Sequence, residues 1–153
     1  TKNHKIFVAA DSQSSSQVGD ISRFKNMDLL TPTEREARIS TRNHEDGLVV
    51  LTEKLRQDSL AKNILLKLGE EGLLVYSREN KGDRSTDRIT NLNNVVKDEA
   101  GAGDSLLITG AMAMASGADI WEAACLGSLA AALQVGRIGN TPLKIDEFLQ
   151  VLK

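Results

Sequence analysis

Eight consecutive residues, Asp98-Glu99-Ala100-Gly101-Ala102-Gly103-Asp104-Ser105, carry the clearest chemistry in this chain. A strand-like segment, Asn94 to Lys97, leads into the glycines, and a long apolar helix is predicted to start near Ser105. Without a Cβ to block the approach, glycine N–H groups can point at a ligand. The helix behind them adds unpaired N–H groups and the positive end of its dipole, which together make an anion site. Asp104 stands where the anion would bind. An acid there suits proton abstraction beside a phosphate. Its other reading is a helix cap, a role that Asp favours. The turn is not a Walker A loop, because no Gly-Lys-Ser/Thr follows. Nor is it a dinucleotide fingerprint, because Leu106 occupies the place of the third glycine.

Composition narrows the partners. The 153 residues suit a single domain over 1–153 with a real core, and hydrophobic residues make up 41%. A net charge of −2 and an aromatic content of 3% leave no basic, aromatic-studded surface, so nucleic acid is not an expected partner. Asp119 and Glu122 break the longest apolar stretch, so no membrane span is expected. Cys125 is the single cysteine, which fits a reducing, cytoplasmic setting, and its neighbours Ala123, Ala124 and Leu126 predict a buried small apolar residue. His4 and His44 have no metal-ligand spacing and read as surface residues.

The elements that must position the turn follow from periodicity. Residues 5–10 form a continuous apolar run, as in a buried parallel strand. Because the chain reaches this strand almost at once from Thr1, the run looks internal to a larger sheet, and a fragment of a longer protein is expected. A Ser/Gln-rich loop over 12–17 leaves the strand's C-terminal end, where open α/β sheets place ligands. A helical turn at 20–25 and a short strand from Met27 to Leu30 follow. Thr31-Pro32 opens a helix through Ile39, with proline in its first turn and Glu34 and Glu36 near its positive end. A helix over 46–60 precedes a strand from Asn63 to Leu68. The turn Gly69-Glu70-Glu71-Gly72 sends the chain back as a paired strand from Leu73 to Ser77. The all-polar stretch 78–88 reads as an exposed loop with charges alternating in sign. After the glycine turn come helices over 105–116 and 120–136, a loop from Arg137 to Pro142, and a helix over 145–152. Strands alternating with helices imply an α/β sheet covered on both faces.

Four features in fixed order resemble the ribokinase, or PfkB, carbohydrate kinases. They are Asp28-Leu29-Leu30-Thr31-Pro32-Thr33-Glu34-Arg35-Glu36, then Leu68-Gly69-Glu70-Glu71-Gly72, then Asp98 to Asp104, then Ala130-Ala131-Ala132 with Val135-Gly136-Arg137-Ile138-Gly139. Within the family, the Leu-Leu-Thr-Pro segment and the Val-Gly-x-x-Gly ending look most like the heptose-7-phosphate kinase domain of ADP-heptose synthases. The resemblance covers the C-terminal half of such a kinase. It implies a ribokinase-like three-layer αβα sandwich with a mainly parallel sheet. The implied reaction is phosphoryl transfer from ATP to a sugar or sugar-phosphate hydroxyl. Asp104 would be the base and the backbone N–H groups of Ala100, Gly101, Ala102 and Gly103 the anion hole. Thr33, Lys67, Gly69, Gly72 and Ser128 fall at positions beside the nucleotide. Glu36 matches an acid that organises Mg²⁺ through water; its other reading is a solvated helix-face acid. Gly69 could equally serve an ordinary hairpin. Asp98, with the Gly136–Gly139 loop, matches a region that binds a monovalent cation such as K⁺ in many members, or is simply a loop acid. Implied partners are the sugar substrate and the missing N-terminal half of the same protein, with a homodimer left open.

The chain also departs from that pattern. Thr33 replaces an Asn, Glu99-Ala100 a frequent Thr-Thr, Lys67 a small hydroxyl residue and Ser128 an Asn. Glu99 brings a carboxylate beside the expected polyphosphate. A non-catalytic relative that keeps the nucleotide site is therefore a second expectation beside the kinase.

Overall fold

The computed structural model describes residues 6–12, 19–77, 85–93 and 95–152. Five strands, β1 (Ala9–Ala10), β2 (Leu29–Leu30), β3 (Asn63–Lys67), β4 (Leu73–Ser77) and β5 (Ser85–Ile89), form one sheet in that spatial order. β1, β2 and β3 pair in parallel, and β4 runs antiparallel to both β3 and β5. Four of the five strands thus point the same way, and the sheet is mixed but mostly parallel. Alternation along the strands builds two cores. Leu30, Ile64, Leu66, Leu74 and Tyr76 face α1 (Glu34–Thr41) and α2 (Leu48–Ser59), with Ala37, Leu51 and Leu55 against them. Leu29, Leu65, Leu73 and Val75 face α3 (Ala102–Ala115) and α4 (Ile120–Val135), meeting Leu106, Ile120 and Ala124. The result is three layers, helix on sheet on helix. A last helix, α5, spans Ile145–Val151.

Local signals set the helix boundaries. α1 starts at a capping box: the Thr33 hydroxyl accepts from the Glu36 N–H, and the Glu36 carboxylate accepts from the Thr33 N–H. Pro32 therefore lies just before the cap and not in the first turn. Asp119 and Glu122 form the same device at α4. α3 and α4 lie close together because Gly127 has no side chain; a Cβ there would come within 2.8 Å of Leu106 Cδ1.

The run before Asp11 gives the two-residue strand β1, paired in parallel with β2, with Ile6 and Val8 exposed in this portion of the sheet. Three expectations change in the folded chain. Ser85–Ile89 is a strand and not loop, since backbone pairing to β4 supplies what its polar sequence does not advertise. Residues 95–97 form no strand; the N–H groups of Lys97 and Asp98 bond instead to Val135 O at the end of α4. Cys125 is exposed, because Ala123, Ala124 and Gly127 take the inward face of α4. The proposed loop over 12–17 falls mostly outside the described residues, as do His4 and residues 78–84. No helix among the described residues is long and apolar enough to cross a membrane.

Candidate active site

A cleft of 330 Å³ opens at the C-terminal ends of the strands, between the segments leaving β3 and β5 and the start of α3. This is where α/β sheets of this kind hold ligands. Thr33, Lys67, Gly69, Gly72 and Ser128, all marked in the sequence, line it together with Ala102, Gly103 and Glu99. Leu73, Leu92, Val96, Leu106, Ala131 and Val135 add an apolar wall, and Thr90 and Asn91 add polar edges. These wall residues come from four separate segments, so no local pattern could have grouped them.

α3 begins earlier than its apolar run suggests. Its N-cap is Gly101, at φ +79°, a left-handed conformation that glycine tolerates best. Asp104 is then the third helical residue and not the cap, and it is exposed. Of the four predicted anion-hole donors, Ala100 N–H is taken by Asp98 and Ala102 N–H by Glu99 O. The N–H groups of Gly101, Gly103 and Asp104 have no hydrogen-bond partner among the described residues. An anion at this helix end would therefore meet fewer open donors than predicted, with the helix dipole behind them.

Lys67 and Asp11 bring opposite charges to the same spot. Lys67 Nζ lies 2.6 Å from Asp11 Oδ2, and both side chains are largely buried. A Cβ on Gly103 would stand 3.3 Å from that ammonium, which places the ion pair against the first turn of α3. Burial pushes the Asp11 carboxyl above its ordinary range, Lys67 partly offsets this, and nearby Glu36 adds to the rise. Sequence reasoning passed over Asp11. Its one signal was an acid directly after an apolar parallel strand.

Glu36 is buried at 3% exposure, which removes the solvated-face reading. One carboxylate oxygen, Oε2, accepts from both the N–H and the hydroxyl of Thr33, at 2.7 and 2.9 Å. A bridge between Thr33 and Lys67 holds this helix start beside β3. Among the described residues, no cluster of three or more His, Cys, Asp or Glu stands ready to hold a metal. Mg²⁺, however, usually keeps its waters and takes only one or two carboxylates besides phosphate oxygens. Asp11 and Glu36 fit that modest requirement.

Asp98 lies behind the turn and not in the cleft. Its two oxygens accept from Ala100 N–H at 3.0 Å and Gly139 N–H at 2.9 Å, and these bonds hold its carboxyl below the usual range.

Known proteins resemble this chain along nearly its whole length. The family described as pfkB family carbohydrate kinase matches residues 1–146. The bifunctional protein HldE of Campylobacter concisus is 32% identical over 151 residues, covering 97% of this chain and 30% of that protein. That of Campylobacter curvus is 33% identical over 138 residues, covering 88% of this chain and 28% of the relative. Ribokinase from Thermotoga maritima superposes with a TM-score of 0.77 at 24% identity, over 97% of this chain and 50% of that one. Phosphofructokinase-2 from Escherichia coli, solved with potassium, gives 0.76 at 18% identity, over 94% and 45%. Ribokinase from Arabidopsis thaliana, solved with ribose and ATP, gives 0.77 at 23% identity, over 97% and 48%. The chain thus spans under a third of these curated relatives and about half of these solved kinases. With the family match running through the α1 cap, the cleft and the glycine turn alike, the chain belongs to the pfkB family of carbohydrate kinases.

Proposed function

We propose that this chain is the nucleotide-binding and catalytic portion of an ATP-dependent kinase acting on a sugar or sugar-phosphate hydroxyl. The observation that carries this reading is the open start of α3, with Asp104 one residue past Gly103, set at the mouth of a largely apolar cleft. The apolar wall from Leu73 to Val135 suits a nucleotide base. The free N–H groups of Gly101 and Gly103 point the polyphosphate toward the helix dipole. Lys67 adds a cation there. Asp104 takes the proton of the acceptor hydroxyl as it attacks the terminal phosphorus of ATP, and ADP leaves. When bound, Mg²⁺ would neutralise phosphate charge beside Asp11 and Glu36. Catalysis of this kind rests on positioning and electrostatics.

The rest of the protein would supply the sugar contacts and close over the cleft, so the isolated chain is expected not to phosphorylate a sugar. A specific observation favours a second reading, a non-catalytic nucleotide-binding relative: Glu99 lines the cleft, and the Thr33 hydroxyl is engaged in the capping box. Asp104→Asn in the full-length protein separates the two. It keeps the shape but cannot accept the proton, and should lower kcat by about 10²–10⁴ with ATP affinity little changed. Full turnover by the variant would remove Asp104 from the chemistry. ATP binding without turnover in the unmodified protein would favour the second reading.

A further inference from the structure

We infer that the side-chain amide of Gln134 is a built-in substitute for a monovalent cation behind the phosphate turn. Gln134 sits in the last turn of α4 and is 1% exposed. Its Nε2 donates to Ala100 O at 3.3 Å and to Gly139 O at 3.1 Å. Both partners are carbonyl oxygens, so the group facing them must be the NH₂ end of the amide. Those two residues are the same pair that Asp98 holds by their N–H groups. Asp98 and Gln134 therefore form a complementary clamp. One accepts from the two N–H groups and the other donates to the two carbonyls, tying the turn before α3 to the loop after α4.

Main-chain carbonyls gathered around one point are the usual ligands of K⁺. Here that point is filled by a donor. A cation would have to displace the amide and lie beside its positive end. The donor set thus does not fit a monovalent ion. The neutral amide does the same mechanical work, linking two loops through their carbonyls, without the ion's charge. Because Ala100 begins the turn that carries Gly101 and Gly103, the clamp sets where those N–H groups point. Gln134 is in this sense a positioning residue. That last step rests on the proposed nucleotide reading, whereas the clamp itself does not.

The test compares full-length wild type with Gln134→Val and with Gln134→Glu, which keeps the side chain's shape. Thermal melting is followed in KCl and in choline chloride at matched ionic strength, without nucleotide. Wild type should melt at the same temperature in both salts. Gln134→Val leaves two carbonyls facing each other and should gain at least about 2 °C in KCl over choline. Should Gln134→Val fail to fold, Gln134→Glu carries the same expectation, because its carboxylate demands a counter-ion. A K⁺-specific rise in wild type, or no K⁺ response in any folded variant, overturns the proposal. Calorimetric ATP affinity gives a separate readout: equal in both salts for wild type, and weaker in choline for the variants. Complete lack of ATP binding would sink the nucleotide reading and leave the melting result to decide the clamp.

Discussion

Replacing Lys67 with Met tests whether the Asp11–Lys67 pair organises the start of α3. The two charges are 2.6 Å apart, with side chains 19% and 16% exposed. Removing one partner of a fully buried pair costs about 3–5 kcal/mol, because the other charge is left stranded. Partial exposure lets water reach Asp11, so about 1–3 kcal/mol is expected here. For a chain of this size that is a fall in Tm of about 2–12 °C. The double variant Asp11→Asn/Lys67→Met removes both charges and should recover most of the loss, giving a coupling energy of about 1–3 kcal/mol. The pH dependence has a definite sign. Asp11's carboxyl is already raised in the folded protein, and loss of Lys67 raises it further. A raised carboxyl stabilises the fold in its protonated form, so that contribution is present in acid and lost as pH rises through the folded value. Relative to the double variant, Lys67→Met should therefore weaken steadily from acid toward neutral pH. Chemical denaturation across that range is the assay. A single variant within about 0.5 kcal/mol of wild type, or a double variant no better than the single, would refute the reasoning.

Two further perturbations probe other acids. In the full-length protein Glu36→Gln keeps an acceptor for Thr33 and should change stability by less than about 1 kcal/mol, yet raise the Mg²⁺ concentration needed for half-maximal rate; an unchanged Mg²⁺ titration would confine Glu36 to the capping box. Glu53, held mainly by Arg56 and also by Tyr76 and Gln57, has its carboxyl lowered from 4.5 to about 2. It adds stability above pH 4.5 that is lost as pH falls toward 2, so acid denaturation of Glu53→Gln should be flatter over that window, and curves parallel to wild type would contradict it.

The sequence alone determined the α/β class, the existence of the main helices and the glycine turn, because these depend on short-range physics, but it set the starts of α1 and α3 a few residues off. Continuous apolar runs in Asn63–Lys67 and Leu73–Ser77 dictate strands buried on both faces, whereas the cap of Thr33 and Glu36 went unread behind the proline signal of Thr31-Pro32. Residues 69, 72 and 101–104 were legible for the same reason: glycines and an acid at fixed spacing mean a particular local backbone. Only the tertiary structure decided what long-range pairing controls. Ser85–Ile89 became a strand through its ladder with β4. Cys125 faces out because its neighbours on α4 pack inward. Asp11 meets Lys67 across 56 residues, and Gln134 reaches Ala100 across 34. No local pattern records such contacts. They exist because the sheet brings the strand ends together and α4 returns along the turn, so the charges and amides that surround the glycine turn are chosen by the fold.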